Sequence, residues 1–112
     1  MTLLCFYAAG LCAFGAHCYP EKTYQQHWCK INGGTQEVIL FDKARVDCLT
    51  KTHAIEFDFA PKWAESIGQA LYYSIVTKKT PGIVLIMENP KKDQKYLARV
   101  NSVAKKYGIS VW

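Results

Sequence analysis

The chain has 112 residues, which is enough for one domain with one modest hydrophobic core. Half of the residues are hydrophobic, and this fraction excludes an intrinsically disordered chain. The formal net charge of +5 suits a polyanion such as nucleic acid, although ordinary solvated lysines at helix ends would give the same excess. The lysines cluster at Lys78–Lys79, at Lys91–Lys92 with Lys95, and at Lys105–Lys106.

The N-terminal segment, residues 1–18, is apolar and contains no Lys or Arg. It is too short for a membrane-spanning helix, and its length is typical of the apolar region of a secretory signal. Ala13 and Gly15 place small residues at the two positions that a signal peptidase inspects. We therefore predict a signal peptide that is cleaved between Gly15 and Tyr19.

The remainder, residues 19–112, is predicted to be a single exported domain, periplasmic or secreted, with no stable membrane insertion after signal cleavage. Two alternatives stay open for the N-terminal segment. It can instead be a buried helix or strand of the domain. A lipoprotein signal is the weaker alternative, because Leu11 and His17 stand before Cys12 and Cys18, where a small residue is expected. The oligomeric state is left open.

The domain begins with a predicted helix over residues 21–31, which Asn32-Gly33-Gly34 ends. Strands are predicted at 38–41, 44–49, 53–59, 83–87 and 109–112, and two further helices at 62–76 and 94–107. Tight turns join the first three strands into an antiparallel meander, whereas the last two follow helices and should pair through crossover connections. The predicted fold is α/β (α+β), a mixed sheet of about five strands flanked by helices in the order αβββαβαβ.

Two cysteines lie at the ends of predicted elements. Cys29 is near the end of the first helix, and Cys48 is near the end of the second strand. In an oxidising compartment we expect these two residues to form a disulfide. Closing that loop would stabilise the domain by about 3 kcal/mol in the chain-entropy treatment. Cys-x-x-Cys spacing does not occur in the sequence, so the cysteines do not indicate a zinc site.

Acidic residues lie on two neighbouring predicted strands. Asp47 is on the second strand and Glu56 on the third. Two such carboxylates can share Mg²⁺, which needs only one or two protein carboxylates besides water and phosphate. That pair is the minimal equipment for metal-assisted phosphodiester hydrolysis. Taken singly, each residue has a simpler explanation: Asp47 can pair with Arg45, Glu56 can face solvent, and Asp58 can favour the dipole of the helix that follows.

These motifs and the order of the elements resemble the PD-(D/E)XK nuclease superfamily, in particular small exported bacterial proteins of that type. The resemblance covers about residues 23–112 and implies a restriction-endonuclease-like core. In that superfamily a strand Asp and an E-x-K motif on the next strand bind the metal and activate water. Asp47 matches the first position, and Glu56 matches the Glu of the second motif.

The resemblance assigns roles to six further residues. Asp58 occupies the usual lysine position, and Lys62 at the start of the next helix is expected to reach back in its place. A Glu on a helix or turn before the strands often assists the metal, and Glu37 is the candidate. Gln69 with Tyr73 resembles the Q-x-x-x-Y helix motif that faces nucleic acid, and Arg45 is expected to help to position the strand.

The expected activity is Mg²⁺-dependent or Mn²⁺-dependent hydrolysis of DNA or RNA. An alternative from another class is a catalytically degenerate binding protein of the cell envelope on the same fold, and Asp58 in the lysine position is its main support. A third and weaker alternative is a structural periplasmic domain whose acidic residues are incidental.

Overall fold

The structure is a computed structural model that describes residues 17–112. The predictions on residues 1–16, which include most of the signal peptide, lie outside the described residues. The helices are α1 (Glu21–Ile31), α2 (Trp63–Thr77) and α3 (Pro90–Tyr107), and a 3₁₀ turn over Ala60–Lys62 precedes α2. The strands are β1 (Thr35–Ile39), β2 (Arg45–Leu49), β3 (His53–Phe59), β4 (Thr80–Ile86) and β5 (Ser110–Val111).

The five strands form one mixed sheet in the spatial order β1-β2-β3-β4-β5. β1, β2 and β3 pair antiparallel, as the tight turns between them predict. β4 joins β3 in parallel through α2, and β5 joins β4 in parallel through α3. The prediction of a mixed five-stranded sheet flanked by helices is therefore confirmed.

Helices cover both faces of the sheet. On one face, Tyr24 and Trp28 of α1 pack with Phe57 and Ile86 of the central strands. On the other face, α2 and α3 enclose a second apolar cluster, which includes Ile83. β3 and β4 are consequently buried along almost their whole length, as expected for strands that are covered on both sides. Within residues 17–112, no helix has both the length and the apolar character needed to cross a membrane.

The element boundaries differ from the sequence prediction at β1, β4 and α3. β4 begins at Thr80, three residues earlier than predicted, because residues 80–82 pair with β3. β1 begins three residues earlier than predicted, and Phe41 lies beyond its end with 86% of its surface exposed. α3 begins four residues earlier than predicted. Asn89 accepts a hydrogen bond from the backbone N–H of Lys92, and Pro90 takes the first helical position. The Asn-Pro pair thus starts a helix directly after β4 instead of separating the two elements.

Cys29 of α1 and Cys48 of β2 form a disulfide, with their Cα atoms 5.8 Å apart. The bridge that the sequence predicts is thus present. It joins α1 covalently to the second strand of the sheet. Its position matters for function because Asp47, the neighbour of Cys48, belongs to the acidic cluster described below.

Glu88, two residues beyond the end of β4, binds the segment that precedes α1. Its carboxylate accepts hydrogen bonds from the backbone N–H of Cys18 and from the Tyr24 hydroxyl, both at 2.7 Å. It also contacts Nδ1 of His17 at 2.6 Å, and the His17 ring stacks on Phe59 at 3.5 Å between centroids. His17 and Cys18 therefore pack with the domain. The predicted cleavage between Gly15 and Tyr19 stays a prediction.

Candidate active site

The site starts where β2 and β3 diverge. Regular pairing between these strands covers only two residue pairs, Cys48 with Ile55 and Leu49 with Ala54. At the next position, Asp47 Oδ2 accepts a hydrogen bond of 2.8 Å from the backbone N–H of Phe57. A side-chain oxygen thus satisfies a donor that a strand would usually pair with a backbone carbonyl. The carboxyl group of Asp47 is thereby inserted between the strands.

Helix α1 fixes the backbone of Asp47 from one side of the sheet. The buried side chain of Gln25 donates a hydrogen bond of 2.9 Å from Nε2 to the carbonyl oxygen of Asp47. One turn further along α1, Cys29 forms the disulfide with Cys48. A hydrogen bond and a covalent bond therefore hold α1 against the same two residues of β2, which restricts where the Asp47 carboxyl can lie.

Glu56 of β3 is the second acidic residue of the site, and only 6% of its surface is exposed. Its Oε2 atom is buried and has no hydrogen-bond partner within residues 17–112. Burial, followed by the charge of Asp47, raises the pKa of Glu56 to about 10. A hydrogen bond between the two carboxyl groups contributes, and it requires a proton on one of them because two carboxylates offer no donor. At neutral pH Glu56 therefore holds a proton.

Two more carboxyl groups share this environment. Asp58 is buried at the end of β3, and burial raises its pKa to about 6 although Lys62 lowers it. Burial, together with Asp47 and Asp58, raises the pKa of Glu21 to about 7, and Lys62 again acts in the opposite direction. Lys62 is thus close enough to influence both carboxyl groups.

Glu21 is a residue of the site that the sequence pattern does not indicate. The one available signal was its place in the first turn of α1, where acidic residues are common because they favour the helix dipole. Because that role is common, the position of Glu21 does not by itself indicate a site residue. Glu21 is also distant in sequence from Asp47 and Asp58, and only the packing of α1 on the sheet brings the three together.

The two residues of the Q-x-x-x-Y pair on α2 lie in different environments. Tyr73 is buried, with 6% of its surface exposed. Burial, followed by the charges of Glu56 and Asp47, raises its pKa to about 12, so its hydroxyl keeps its proton at neutral pH. Gln69, one turn earlier, is exposed at the surface of α2.

Glu37 and Arg45 lie at the outer side of the site and pair with each other at 4.0 Å. Glu37 also pairs with Lys22 of α1 at 3.7 Å. Both influence Asp47, because Glu37 raises the pKa of that carboxyl and Arg45 lowers it. The two residues therefore adjust the charge of the site from its edge, and each is already engaged by a partner of opposite sign.

The carboxyl groups of the site offer only a small set of donors to a metal ion. No group of three or more His, Cys, Asp or Glu side chains in the described part of the chain is arranged to hold a metal ion. Asp47 and Glu56 nevertheless form a pair, and the buried Oε2 of Glu56 lacks a partner. Mg²⁺ accepts one or two protein carboxylates and completes its coordination shell with water and substrate. The pair therefore provides the minimum that this ion requires from the protein.

A separate concave region lies at the opposite end of β3. Its volume is about 540 Å³, and the rings of Trp28, His53 and Trp112 form part of its lining. Nε2 of His53 is engaged with the hydroxyl of Ser110 at 2.9 Å, and burial lowers the pKa of this histidine. The carboxyl groups of the site do not line this region.

Comparison of the chain with protein-family models, with curated proteins and with solved structures found no match. The function of the site is therefore inferred from its geometry and its chemistry.

Proposed function

We propose that this protein is a metal-dependent hydrolase that cleaves phosphodiester bonds in DNA or RNA, with Mg²⁺ or Mn²⁺ as its cofactor. The observation that carries the proposal is the buried carboxyl of Glu56, whose Oε2 has no partner among the described residues, next to Asp47. Two adjacent buried carboxyls reduce stability unless a proton or a cation joins them. A divalent cation is the natural occupant of such a pair.

The proposal is also supported by the placement of the pair in the fold. The element order α1-β1-β2-β3-α2-β4-α3-β5 agrees with the order expected for a restriction-endonuclease-like core. In the resemblance to PD-(D/E)XK nucleases, the strand Asp corresponds to Asp47 and the Glu of the next strand to Glu56. We propose that the domain has this core and that the two residues hold the metal ion.

The chemistry follows from the charges around the pair. A bound divalent ion supplies Lewis acidity to a phosphoryl oxygen and a more acidic water. Lys62 would stabilise negative charge that develops on the phosphate. Glu21 and Asp58, with pKa values of about 7 and 6, are matched to accept a proton near neutral pH. Tyr73 stays protonated and would donate a hydrogen bond to the phosphate.

Nucleic acid is the proposed substrate because the net charge is +5 and the site is suited to phosphate chemistry. We propose that Arg45 and Gln69, which are exposed at the rim, help to position the strand. Glu37 would support the metal ion from the edge strand through its effect on Asp47. The Cys29–Cys48 bridge is compatible with an oxidising compartment, so we propose a periplasmic or secreted location.

A second candidate is a catalytically degenerate protein that binds nucleic acid on the same fold. Two observations favour it. Asp58 stands where the lysine of an E-x-K motif would be, and the described residues contain no group of three metal-ligating side chains. In this case the Asp47–Glu56 pair is held together by a proton alone.

A cleavage assay distinguishes the two candidates. Wild-type protein is incubated with single-stranded and double-stranded DNA and with RNA, each with Mg²⁺, with Mn²⁺ and with a chelator. Glu56→Gln is the test variant. Asp42→Asn, which changes an exposed acid in the turn between β1 and β2, is the matched control.

We expect cleavage that requires the metal, that falls at least about 100-fold in Glu56→Gln, and that is unchanged in Asp42→Asn. Equal cleavage by wild type and Glu56→Gln would show that the site lies elsewhere. An absence of cleavage with every substrate and metal, together with binding of nucleic acid, would select the binding protein.

A further inference from the structure

The exposed surface of α3 is charged with one sign only. Its six basic residues are all exposed, namely Lys91, Lys92, Lys95, Arg99, Lys105 and Lys106. Its single acidic residue, Asp93, is buried, and its Oδ2 accepts a hydrogen bond of 3.3 Å from the backbone N–H of Asn89. The acid therefore serves the start of the helix, and it offsets only part of the charge of Lys92 and Lys95.

Most of these positive charges lack a close carboxylate partner among the described residues. The ion pairs found among residues 17–112 involve His17, Lys22 and Arg45, and none involves a side chain of α3. The single acid of the helix, Asp93, is buried and interacts with Lys92 and Lys95. The positive charge of the helix surface is therefore compensated only in part.

The spacing of these charges disfavours the helix. Lys91, Lys95 and Arg99 follow one another at intervals of four residues, so each lies next to the following one on the helix surface. Like-charged neighbours at this spacing cost about 0.2–0.5 kcal/mol per pair. Lys91 and Lys92 also lie at the positive end of the helix dipole, where cations are unfavourable. Helix stability alone does not account for this arrangement.

Aromatic rings lie under these cations. The guanidinium of Arg99 is 5.5 Å from the ring centre of Trp63 and 5.7 Å from that of Tyr96. Nζ of Lys95 is 5.0 Å from the ring centre of Tyr96. Both rings are half-buried, so each keeps part of its surface accessible. We call Lys91, Lys95, Arg99, Trp63 and Tyr96 together the α3 ridge.

The α3 ridge leads to the carboxylate site. α3 packs against the 3₁₀ turn that ends at Lys62, the cation beside Asp58 and Glu21. Trp63 directly follows Lys62 in the chain. Arg99 lies eight positions after Lys91, which is about 12 Å along the helix. That length allows contacts with a few successive phosphates of one strand.

We propose that the α3 ridge binds the backbone of single-stranded nucleic acid and directs it to the Asp47–Glu56 pair. Lys91, Lys95 and Arg99 contact phosphates, and Trp63 and Tyr96 offer ring faces on which bases stack. Basic grooves combined with aromatic platforms are the usual means of binding single strands without sequence preference. This proposal rests on the proposed function, since it names the form of substrate that reaches that site.

An anionic membrane surface is the competing partner for a basic helix. Helices that bind in the membrane interface insert protruding apolar side chains between lipids. In the α3 ridge the rings instead lie 5.0 and 5.5 Å from cations and are half-buried against the domain. The exposed cations, with only part of each ring accessible beside them, favour the phosphates and bases of nucleic acid over the interior of a membrane.

The test measures binding separately from cleavage. All variants are made in the Glu56→Gln background and titrated against a fluorescent single-stranded DNA of twelve nucleotides at several salt concentrations, with anisotropy as the readout. The ridge variant carries Lys91→Gln, Lys95→Gln and Arg99→Gln. The control variant, which has the same net charge, carries Lys30→Gln, Lys105→Gln and Lys106→Gln. Thermal unfolding monitored by circular dichroism verifies that both variants fold.

We expect the ridge variant to lose at least about tenfold in affinity and to lower the slope of log K against log salt by about 2, or roughly 0.7 for each of three lost phosphate contacts. The control variant should stay within about threefold of its parent. Equal weakening of both variants would overturn the proposal. So would binding of the parent to vesicles containing anionic lipid but not to the oligonucleotide.

The same substitutions, made also in the wild-type background for the cleavage assay, separate this proposal from the proposed function. If wild type cleaves nothing but the ridge variant alone loses binding, the α3 ridge stands and the hydrolase assignment fails. If wild type cleaves in a manner that depends on Glu56, and the ridge substitutions change neither binding nor cleavage of single strands, the hydrolase stands and the α3 ridge fails.

Discussion

Asp47 Oδ2 accepts a hydrogen bond of 2.8 Å from the backbone N–H of Phe57, so one oxygen has a structural role in a carboxyl group that also interacts with Glu56. Asn can keep that hydrogen bond through its amide oxygen, whereas Ala cannot. The two substitutions therefore separate the charge of the residue from its structural contact.

We expect Asp47→Asn to abolish the binding of Mg²⁺ or Mn²⁺ in a calorimetric titration with little loss of stability. Asp47→Ala should abolish binding and also lower the free energy of unfolding by about 1–3 kcal/mol, because the N–H of Phe57 then lacks a partner. Wild type should release a proton on binding, since Glu56 must ionise. Asp42→Asn, at an exposed turn, is the control, and an unchanged isotherm in Asp47→Asn would reject the shared site.

The stability of the metal-free protein should fall as pH rises above 4.5. Between pH 4.5 and about 10, Glu56 keeps its proton in the folded state and loses it in the unfolded chain. Folding therefore takes up a proton, and a rise in pH lowers the free energy of unfolding. The slope from this residue is at most about 1.4 kcal/mol per pH unit. Urea unfolding from pH 5 to pH 9 should show this fall in wild type and a flatter profile in Glu56→Gln. Parallel profiles for the two proteins would contradict the buried-proton assignment.

Lys62 is the residue whose substitution separates an enzyme from a binding protein. If it stabilises charge in the transition state, Lys62→Ala should lower turnover by about two to three orders of magnitude and barely change the affinity for nucleic acid. Steady-state cleavage and anisotropy measure the two quantities. Lys30→Ala, another exposed lysine, is the control. Equal turnover of wild type and Lys62→Ala would show that Lys62 is only a solvated residue before α2.

Gly34 offers a test of how the disulfide supports the site. A Cβ atom at this position would lie 2.7 Å from the sulfur of Cys29 and still closer to that of Cys48. We expect Gly34→Ala to hinder the bridge and to destabilise the protein by about 3 kcal/mol. Intact-mass analysis with and without reductant, combined with urea unfolding, measures both effects. Gly68→Ala, where a Cβ meets nothing within 4 Å, should leave the bridge intact and stabilise α2 by about 0.5–1 kcal/mol.

The fold was largely predictable because the chain alternates clear helical and strand periods. α1 and β3 have the predicted bounds. Gly33 and Gly34 mark the end of α1, and β3 is a regular alternating run. β1 was placed too late because Phe41 is apolar. Tertiary packing decides its position, and pairing of Thr35 and Gln36 with β2 begins the strand where the sequence shows no apolar signal.

The site was only partly predictable. Asp47 and Glu56 lie on adjacent strands, and sequence spacing is sufficient to bring such residues together. Glu21 was missed because its contribution depends on how α1 crosses the sheet, which no local pattern encodes. Glu37 was expected beside the metal ion, and the structure shows it in ion pairs with Lys22 and Arg45. Those pairs depend on side chains from two other elements.

The position of the disulfide has a consequence for the order in which the molecule assembles. The bridge closes a loop with a sequence separation of 19 residues, which contains only the end of α1, the β1–β2 hairpin and their turns. If the domain is exported from its N-terminus as we propose, both thiols cross the membrane before the residues that follow Cys48. Oxidation can then fix Asp47 before β3 arrives. Glu56 would thus enter a site whose first carboxyl is already in place.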